Sequence, residues 1–233
     1  MSAVRRPPIA FAHRGGQAHA PANTLEAFRL ALRLGATGLE SDVWLTADAV
    51  PVLDHDGTVK AGWRRRPIAS VPRDALPPSV PALSELYEAC GTDFELSLDV
   101  KEPAAAEAAV AAAVRAGAAA RLWLCHPSWT EVAGWRTMSD TVRLVDSTRL
   151  RLLKEGPERR AARLTEAGVD AVNLHYTDWN LGLTTLFHRF GVMTLAWDCQ
   201  HDAQLDRILA AEIDGVYSDH VDRMVDAVAR NMR

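Results

Sequence analysis

The chain has 233 residues, 48% of them hydrophobic and 24% charged, with a net charge of −4; these are the proportions of a globular protein large enough for a sizeable core. It has no sustained basic run to track nucleic acid and no apolar run long enough to span a bilayer. Its cysteines, Cys90, Cys125 and Cys199, are too scattered for a disulfide frame or a zinc site.

The N-terminal MSAVRRPPIAFAHRGG is basic at first, but its apolar part is too short for a signal peptide, so a cytoplasmic protein is expected. Residues 8–15, PIAFAHRG, read as a strand that ends on an imidazole and a guanidinium. NTLEAFRLALRLGA follows as a helix, with Asn23 or Thr24 as its cap, a stripe through Leu25, Phe28, Ala31 and Leu32, and Gly35 as its stop. GLESDVWLT is the second strand, and AVPVLDH extends the chain again. From Asp56 to Pro81 the sequence is rich in Pro, Arg and Gly without a period, which predicts a loop or small insertion; RRR at Arg64 to Arg66 reads as part of a solvated loop. ALSELYEAC is a helix and FELSLDVK the third strand. PAAAEAAVAAAVRAG is strongly helical, with Pro103 in its first turn. RLWLCH, TVRLVD, DAVNLH, VMTLAWD and DGVYSD then read as strands, each followed by a helical segment, the last being HVDRMVDAVARNM.

Eight strand–helix units in this order predict an α/β fold, a (β/α)8 TIM barrel with a short insertion after strand two, in a single domain over residues 1–233. An open doubly wound sheet is the alternative, and the chain has no Gly-rich dinucleotide fingerprint after its first strand.

Polar residues gather at the C-terminal ends of the strands: His13 and Arg14; Glu40 and Asp42, then His55 and Asp56; Asp99 and Lys101; His126; Asp146; Asn173 and His175; Trp197 and Asp198; Ser218 and Asp219. In a barrel those ends share one mouth, where active sites are built. Glu40 and Asp42 are two apart on a strand and point to one side; Asp99 and Lys101 repeat the spacing on the next. Three neighbouring carboxylates repel unless a cation joins them, and an all-oxygen set suits one hard divalent ion, Mg²⁺ or Ca²⁺. Arg14 and Lys101 beside such an ion predict an anionic ligand, a phosphate bridging all three. His13 and His55 then fit an acid–base pair, since a histidine titrates near neutrality and can give or take a proton at an ester oxygen. Trp197, at the end of the seventh strand, can wall one side of the ligand.

Taken together these residues resemble the glycerophosphodiester phosphodiesterases. The resemblance runs through His13-Arg14-Gly15, Ala22-Asn23-Thr24, Glu40-Ser41-Asp42, Thr46-Ala47-Asp48, His55-Asp56, Asp99-Val100-Lys101, Trp197 and Asp214-Gly215-Val216-Tyr217-Ser218-Asp219, and covers nearly the whole chain. It implies a TIM barrel that hydrolyses glycerophosphodiesters to glycerol 3-phosphate and an alcohol with a divalent metal. By it, His13 and His55 are the acid–base pair, Glu40, Asp42 and Asp99 hold the metal, and Arg14 and Lys101 hold the phosphate. Three departures stand out: Ala22 replaces the family's Glu; Asp99, a methylene shorter than the family's Glu, is expected to reach the metal through water; and the insertion after His55 is short and lacks the family's usual ending before the next helix, though VPALSELYEA resembles its Ile-Pro-Thr-Leu-x-Glu run.

Two other readings keep the same site. One is cleavage of a lysophospholipid on the headgroup side, which needs an apolar groove; the arginine- and proline-rich stretch from Trp63 to Pro78 argues against one. The other is a phosphodiester-binding protein without turnover. The expected partner is a small-molecule phosphodiester, with no nucleic acid and no stable membrane insertion, and nothing in the residues selects an oligomeric state.

Overall fold

A computed structural model of the chain describes residues 5–61 and 64–232. The expectations placed on Trp63 and on the first four residues lie outside them. The elements run β1 (Ile9–Ala12), α1 (Leu25–Arg33), β2 (Gly38–Leu45), β3 (Pro51–Leu53), β4 (Thr58–Ala61), β5 (Arg64–Pro67), α2 (Leu83–Cys90), β6 (Glu95–Val100), α3 (Ala105–Arg115), β7 (Leu122–His126), α4 (Trp129–Gly134), β8 (Arg143–Ser147), α5 (Pro157–Glu166), β9 (Ala171–His175), α6 (Leu181–Arg189), β10 (Met193–Trp197), α7 (Asp202–Ala210), β11 (Gly215–Ser218) and α8 (Val221–Asn231). The main sheet follows the order β1-β11-β10-β9-β8-β7-β6-β2, and parallel pairing of β1 with β2 closes it into the (β/α)8 barrel. β3 folds back antiparallel on the far end of β2.

The alternation of each strand divides the core in two. Inward residues Ile9, Phe11, Trp123, Cys125, Val145, Ala171, Leu195 and Tyr217 fill the barrel. Phe11 stacks on Tyr217 at 4.6 Å between ring centroids and meets Trp123 edge-on at 6.0 Å. Outward residues such as Ala12, Leu39, Leu98, Leu124, Leu144, Val172 and Val216 pack under the helices. The interior also carries polar groups that satisfy one another: Glu95 accepts from Trp123 Nε1 at 2.7 Å, and Ser97 Oγ lies 3.0 Å from the Tyr217 hydroxyl. Buried polar groups persist only with such partners.

Helix starts follow local chemistry. Thr24, Ser128 and Asn180 accept from the backbone N–H three residues on, capping α1, α4 and α6, each worth about 1 kcal/mol. Of the two candidate caps of α1, Thr24 holds the position. Asn23 instead adopts φ 58° and accepts from Ser41 Oγ at 2.8 Å. Pro103 lies in the turn ahead of α3, which starts at Ala105.

The insertion is more ordered than its composition predicts. β4 and β5 pair as an antiparallel ribbon, and Arg64 to Arg66 form an exposed strand of it in place of a loop. Val52, Val59, Ile68, Val71, Leu76, Val80 and Ala82 make a small separate core beneath. A lack of period over so short a run misses a ribbon whose apolar residues are contributed from several turns. Among the described residues no helix is long and apolar enough to cross a membrane.

Candidate active site

β1 ends in a short 3-10 turn, His13–Gly15, in which Arg14 has φ 50° and Gly15 and Gly16 have φ near 80°. Left-handed backbone at a non-glycine residue costs of order 1 kcal/mol and persists where the surroundings hold it. The turn is held by packing and by charge. A Cβ on Gly15 would stand 2.9 Å from that of Ala27 on α1, and the Arg14 N–H donates to Glu40 Oε2 at 2.8 Å. The turn thereby fixes where the His13 ring and the Arg14 side chain start.

His13 sits between two carboxylates. Its Nδ1 lies 2.6 Å from Asp219 Oδ1, just beyond β11, and its Nε2 lies 3.7 Å from Glu40 Oε2. Asp219 is held below the usual carboxylate range: burial opposes this, but the hydrogen bond and charge of His13 outweigh it. An ionised carboxylate only accepts, so Nδ1 carries the hydrogen toward Asp219 and Nε2 is the nitrogen left for a ligand. Burial disfavours the imidazolium, yet Glu40 and Asp219 together push it up to about 9.

Glu40, Asp42 and Asp99 converge, as adjacent strands β2 and β6 put Asp42 and Asp99 abreast in register. One oxygen of each lies within 4.8 Å of the others. Glu40 is pushed up to about 8, chiefly by burial, with His13 opposing and Asp42 and Asp99 adding repulsion. Asp99 is raised by desolvation, with Lys101 opposing and Asp42 contributing. Asp42 Oδ2 is buried without a hydrogen-bond partner. A buried carboxylate oxygen left bare among like charges calls for a cation. The all-oxygen donor set fits a hard divalent ion.

Lys101 Nζ lies 2.7 Å from Asp42 Oδ1 and 3.5 Å from Asp99 Oδ2. It counters the carboxylates and is not on the cavity wall. Arg14 differs: among the described residues its guanidinium makes no ion pair, and its Nε is buried without a partner. It lines a cavity of about 520 Å³ at the mouth, together with His13, Glu40, Asp99, Asn173 and Trp197.

His55 follows β3 on a loop hung from β2 by the Asp54 N–H to Asp42 carbonyl bond of 3.1 Å. It is more exposed than His13, with Nδ1 3.0 Å from Asp56 Oδ1, and does not line that cavity. Thus one side of the mouth brings together His13, Arg14 and the three carboxylates; Trp197 lines the same cavity from the end of β10, and Lys101 and His55 lie beside the carboxylate strands. Ala22 is exposed and outside the cavity lining.

Two polar strand ends read as part of the mouth face the other way. Asp146 is fully buried under α5, bound to Arg160 Nη1 at 2.6 Å, and His126, its register neighbour on β7, packs against Trp135. Each follows an inward residue, Val145 and Cys125, and so points outward. Strand alternation carries that signal in the sequence. The same alternation would have placed Ser147 and Asn173 on the cavity wall, where they lie. Asp219's role toward His13 and Arg149's place on the wall had no comparable signal, because both fall in loops.

A sequence profile of the Glycerophosphoryl diester phosphodiesterase family matches residues 13–223. The rat protein Glycerophosphodiester phosphodiesterase 1 (Rattus norvegicus) is 60% identical over 50 residues, 22% of this chain and 15% of the rat protein. The chain thus aligns with only a small part of that relative's length. Among solved structures, a glycerophosphodiester phosphodiesterase from Thermotoga maritima superposes with a TM-score of 0.79 at 22% identity, over 94% of this chain and 97% of that one. A phosphodiesterase from Oleispira antarctica, solved in complex with the product sn-glycerol-3-phosphate, gives 0.80 at 19% identity over 95% and 97%.

Proposed function

The chain belongs to the glycerophosphoryl diester phosphodiesterase family, and on that premise we propose that it hydrolyses glycerophosphodiesters to glycerol 3-phosphate and an alcohol. The observation that carries the reading is the meeting, at one side of the mouth, of three carboxylates with the His13–Asp219 pair and the Arg14 guanidinium, which pairs with no carboxylate among the described residues. The product named with the Oleispira antarctica structure supports it.

Glu40, Asp42 and Asp99 hold one divalent ion, Mg²⁺ or Ca²⁺, which when bound neutralises charge on the phosphoryl oxygens. Arg14 takes phosphate oxygens through its planar fork, a geometry that a lysine cannot reproduce. Lys101, held against Asp42 and Asp99, would lend a second positive charge beside the phosphate. His13 exchanges a proton at Nε2, while Asp219 fixes its tautomer and supports its charged form. His55 supplies the second proton-transfer group from the β3 loop, so that one histidine takes a proton from the attacking oxygen and the other gives one to the leaving oxygen. Trp197 walls the cavity beside the alcohol.

The test is hydrolysis of a panel of glycerophosphodiesters with Mg²⁺, Ca²⁺ and Mn²⁺ supplied in turn. Turnover that survives complete chelation overturns the metal assignment; binding without turnover on any substrate establishes a phosphodiester-binding protein in its place.

A further inference from the structure

Around the closed ring, β8 stands four strands from β1 in either direction. The residue two beyond β8 is Arg149, so the cavity has a cation on the wall opposite Arg14. Arg149 is held in two ways. Its Nε donates to Asp178 Oδ2 at 2.9 Å, and the same oxygen accepts from the Leu150 N–H at 3.1 Å, which ties side chain and loop to one anchor. Its guanidinium carbon lies 5.4 Å from the centroid of the Trp197 ring. Among the described residues, its two terminal nitrogens make no hydrogen bond. A guanidinium fixed at Nε and laid on an indole keeps its terminal N–H donors pre-aimed, so little entropy is lost when an acceptor arrives.

The other charges nearby are already matched. Asp178 is committed to Arg149 and Leu150. Asp198 also lines the cavity, but Oδ2 faces His175 Nε2 at 3.0 Å and Oδ1 accepts from Gln200 Nε2 at 3.4 Å. The open charge of this wall is therefore for an anion, beside one neutral acceptor, Asn173 Oδ1, which is buried without a partner and suits a hydroxyl donor. A glycerol arm offers only hydroxyls, which leave most of a guanidinium's charge unanswered. A quaternary ammonium would approach an indole whose face already carries a cation.

We propose that Arg149 selects the alcohol half of the substrate, receiving an anionic group, a carboxylate or a second phosphate, on the alcohol of a diester whose central phosphate lies at Arg14. This rests on the phosphodiesterase reading above. The test uses glycerophosphodiesters whose alcohols are ethylene glycol, glycolate, ethylene glycol phosphate and choline. We expect kcat/KM for the anionic alcohols to exceed that for ethylene glycol by roughly 10- to 100-fold, the range of one or two charge-assisted hydrogen bonds, with choline lowest. The better of glycolate and ethylene glycol phosphate identifies the anion. In Arg149→Gln, whose stem still covers Trp197, that ratio should collapse toward one, while Arg149→Lys retains part of it. A wild-type ratio near one, a preference for choline, or an equal loss on every substrate in Arg149→Gln overturns the proposal. If the wild type hydrolyses none of the four, the phosphodiesterase reading fails and the selection with it.

Discussion

Metal loading should expel protons, and their source follows from the carboxylate cluster. Without the ion, Glu40 is pushed up to about 8 by burial, partly offset by His13, and by its two carboxylate neighbours. It therefore holds its proton more tightly than an ordinary glutamate, in exchange with His13, whose charged form is favoured by an ionised Glu40. An oxygen ligand must be deprotonated, so binding near neutral pH should release a proton from the Glu40–His13 pair. The logarithm of Kd should fall by about one per pH unit on approach to pH 8 and level off above it. The sign for stability follows the same group. A carboxylate whose folded value is raised above its unfolded value stabilises fully below the unfolded value and loses that contribution as pH rises through the folded one. The metal-free protein should thus lose stability between about pH 4.5 and pH 8, and the gain in melting temperature on adding metal should widen over the same interval. Calorimetric titration of the metal in two buffers of different ionisation enthalpy counts the protons directly, and Glu40→Gln should remove the released proton while weakening binding. A Kd that is flat from pH 6 to pH 8 with no buffer dependence of the heat would refute the electrostatic account of the cluster.

His13→Ala and His55→Ala should each lower turnover by ~10²–10⁴ while metal binding, followed calorimetrically, persists; an aryl diester with a good leaving group should rescue only the variant that lacks the acid. Arg14→Lys should lower kcat and not only raise KM, because a point charge replaces a fork where charge develops; an unchanged kcat in steady-state assays argues for ground-state binding alone. Gly38→Ala puts a Cβ 2.5 Å from the Phe11 ring, which is clamped between Tyr217 and Trp123, and overpacking of that kind costs about 1–3 kcal/mol in a denaturant melt. Asp146, pushed up to about 6 by burial against the pull of Arg160, should contribute stability that is lost as pH rises through about 6; Asp146→Asn should flatten that part of the melting-temperature profile relative to the wild type.

Most of the barrel was legible because two periods recur without interference. The stripe of α1 and the alternation in Glu40-Ser41-Asp42 and Leu96-Ser97-Leu98-Asp99 each identify their element, and eight repeats leave few topologies. The sequence was silent where order comes from contacts between distant short segments. The β4–β5 ribbon is one such place: its strands are four residues each, β5 is exposed throughout and β4 turns Val59 inward, so neither propensity nor period marks it, and its support comes from Val59 packing with Ile68, Val71 and Leu76 beneath. Asn23 is another. As a potential helix cap it competes with Thr24, and only the approach of Ser41 from β2 decides between them.

The site divides along the same line. Glu40, Asp42 and Asp99 stand on strands whose alternation fixes their direction, so their convergence could be read from spacing. Asp146 could have been excluded by the same rule, since Val145 before it faces the barrel. The two histidines look equivalent in the sequence but are not in space. His13 ends a strand, is gripped by Asp219, and presents one defined nitrogen beside Glu40. His55 rides an exposed loop, and its partner Asp56 is shared with Arg65 from the ribbon. That asymmetry depends on Asp219 and Arg65, contributed by β11's following loop and by the insertion, and neither is predictable from the spacing of the histidines themselves. The same holds for Arg149: a loop residue acquires a direction only from what anchors it, here Asp178 and Trp197. Strand-borne chemistry is written in the period of the sequence, whereas the loop-borne groups that orient it are set by tertiary contacts.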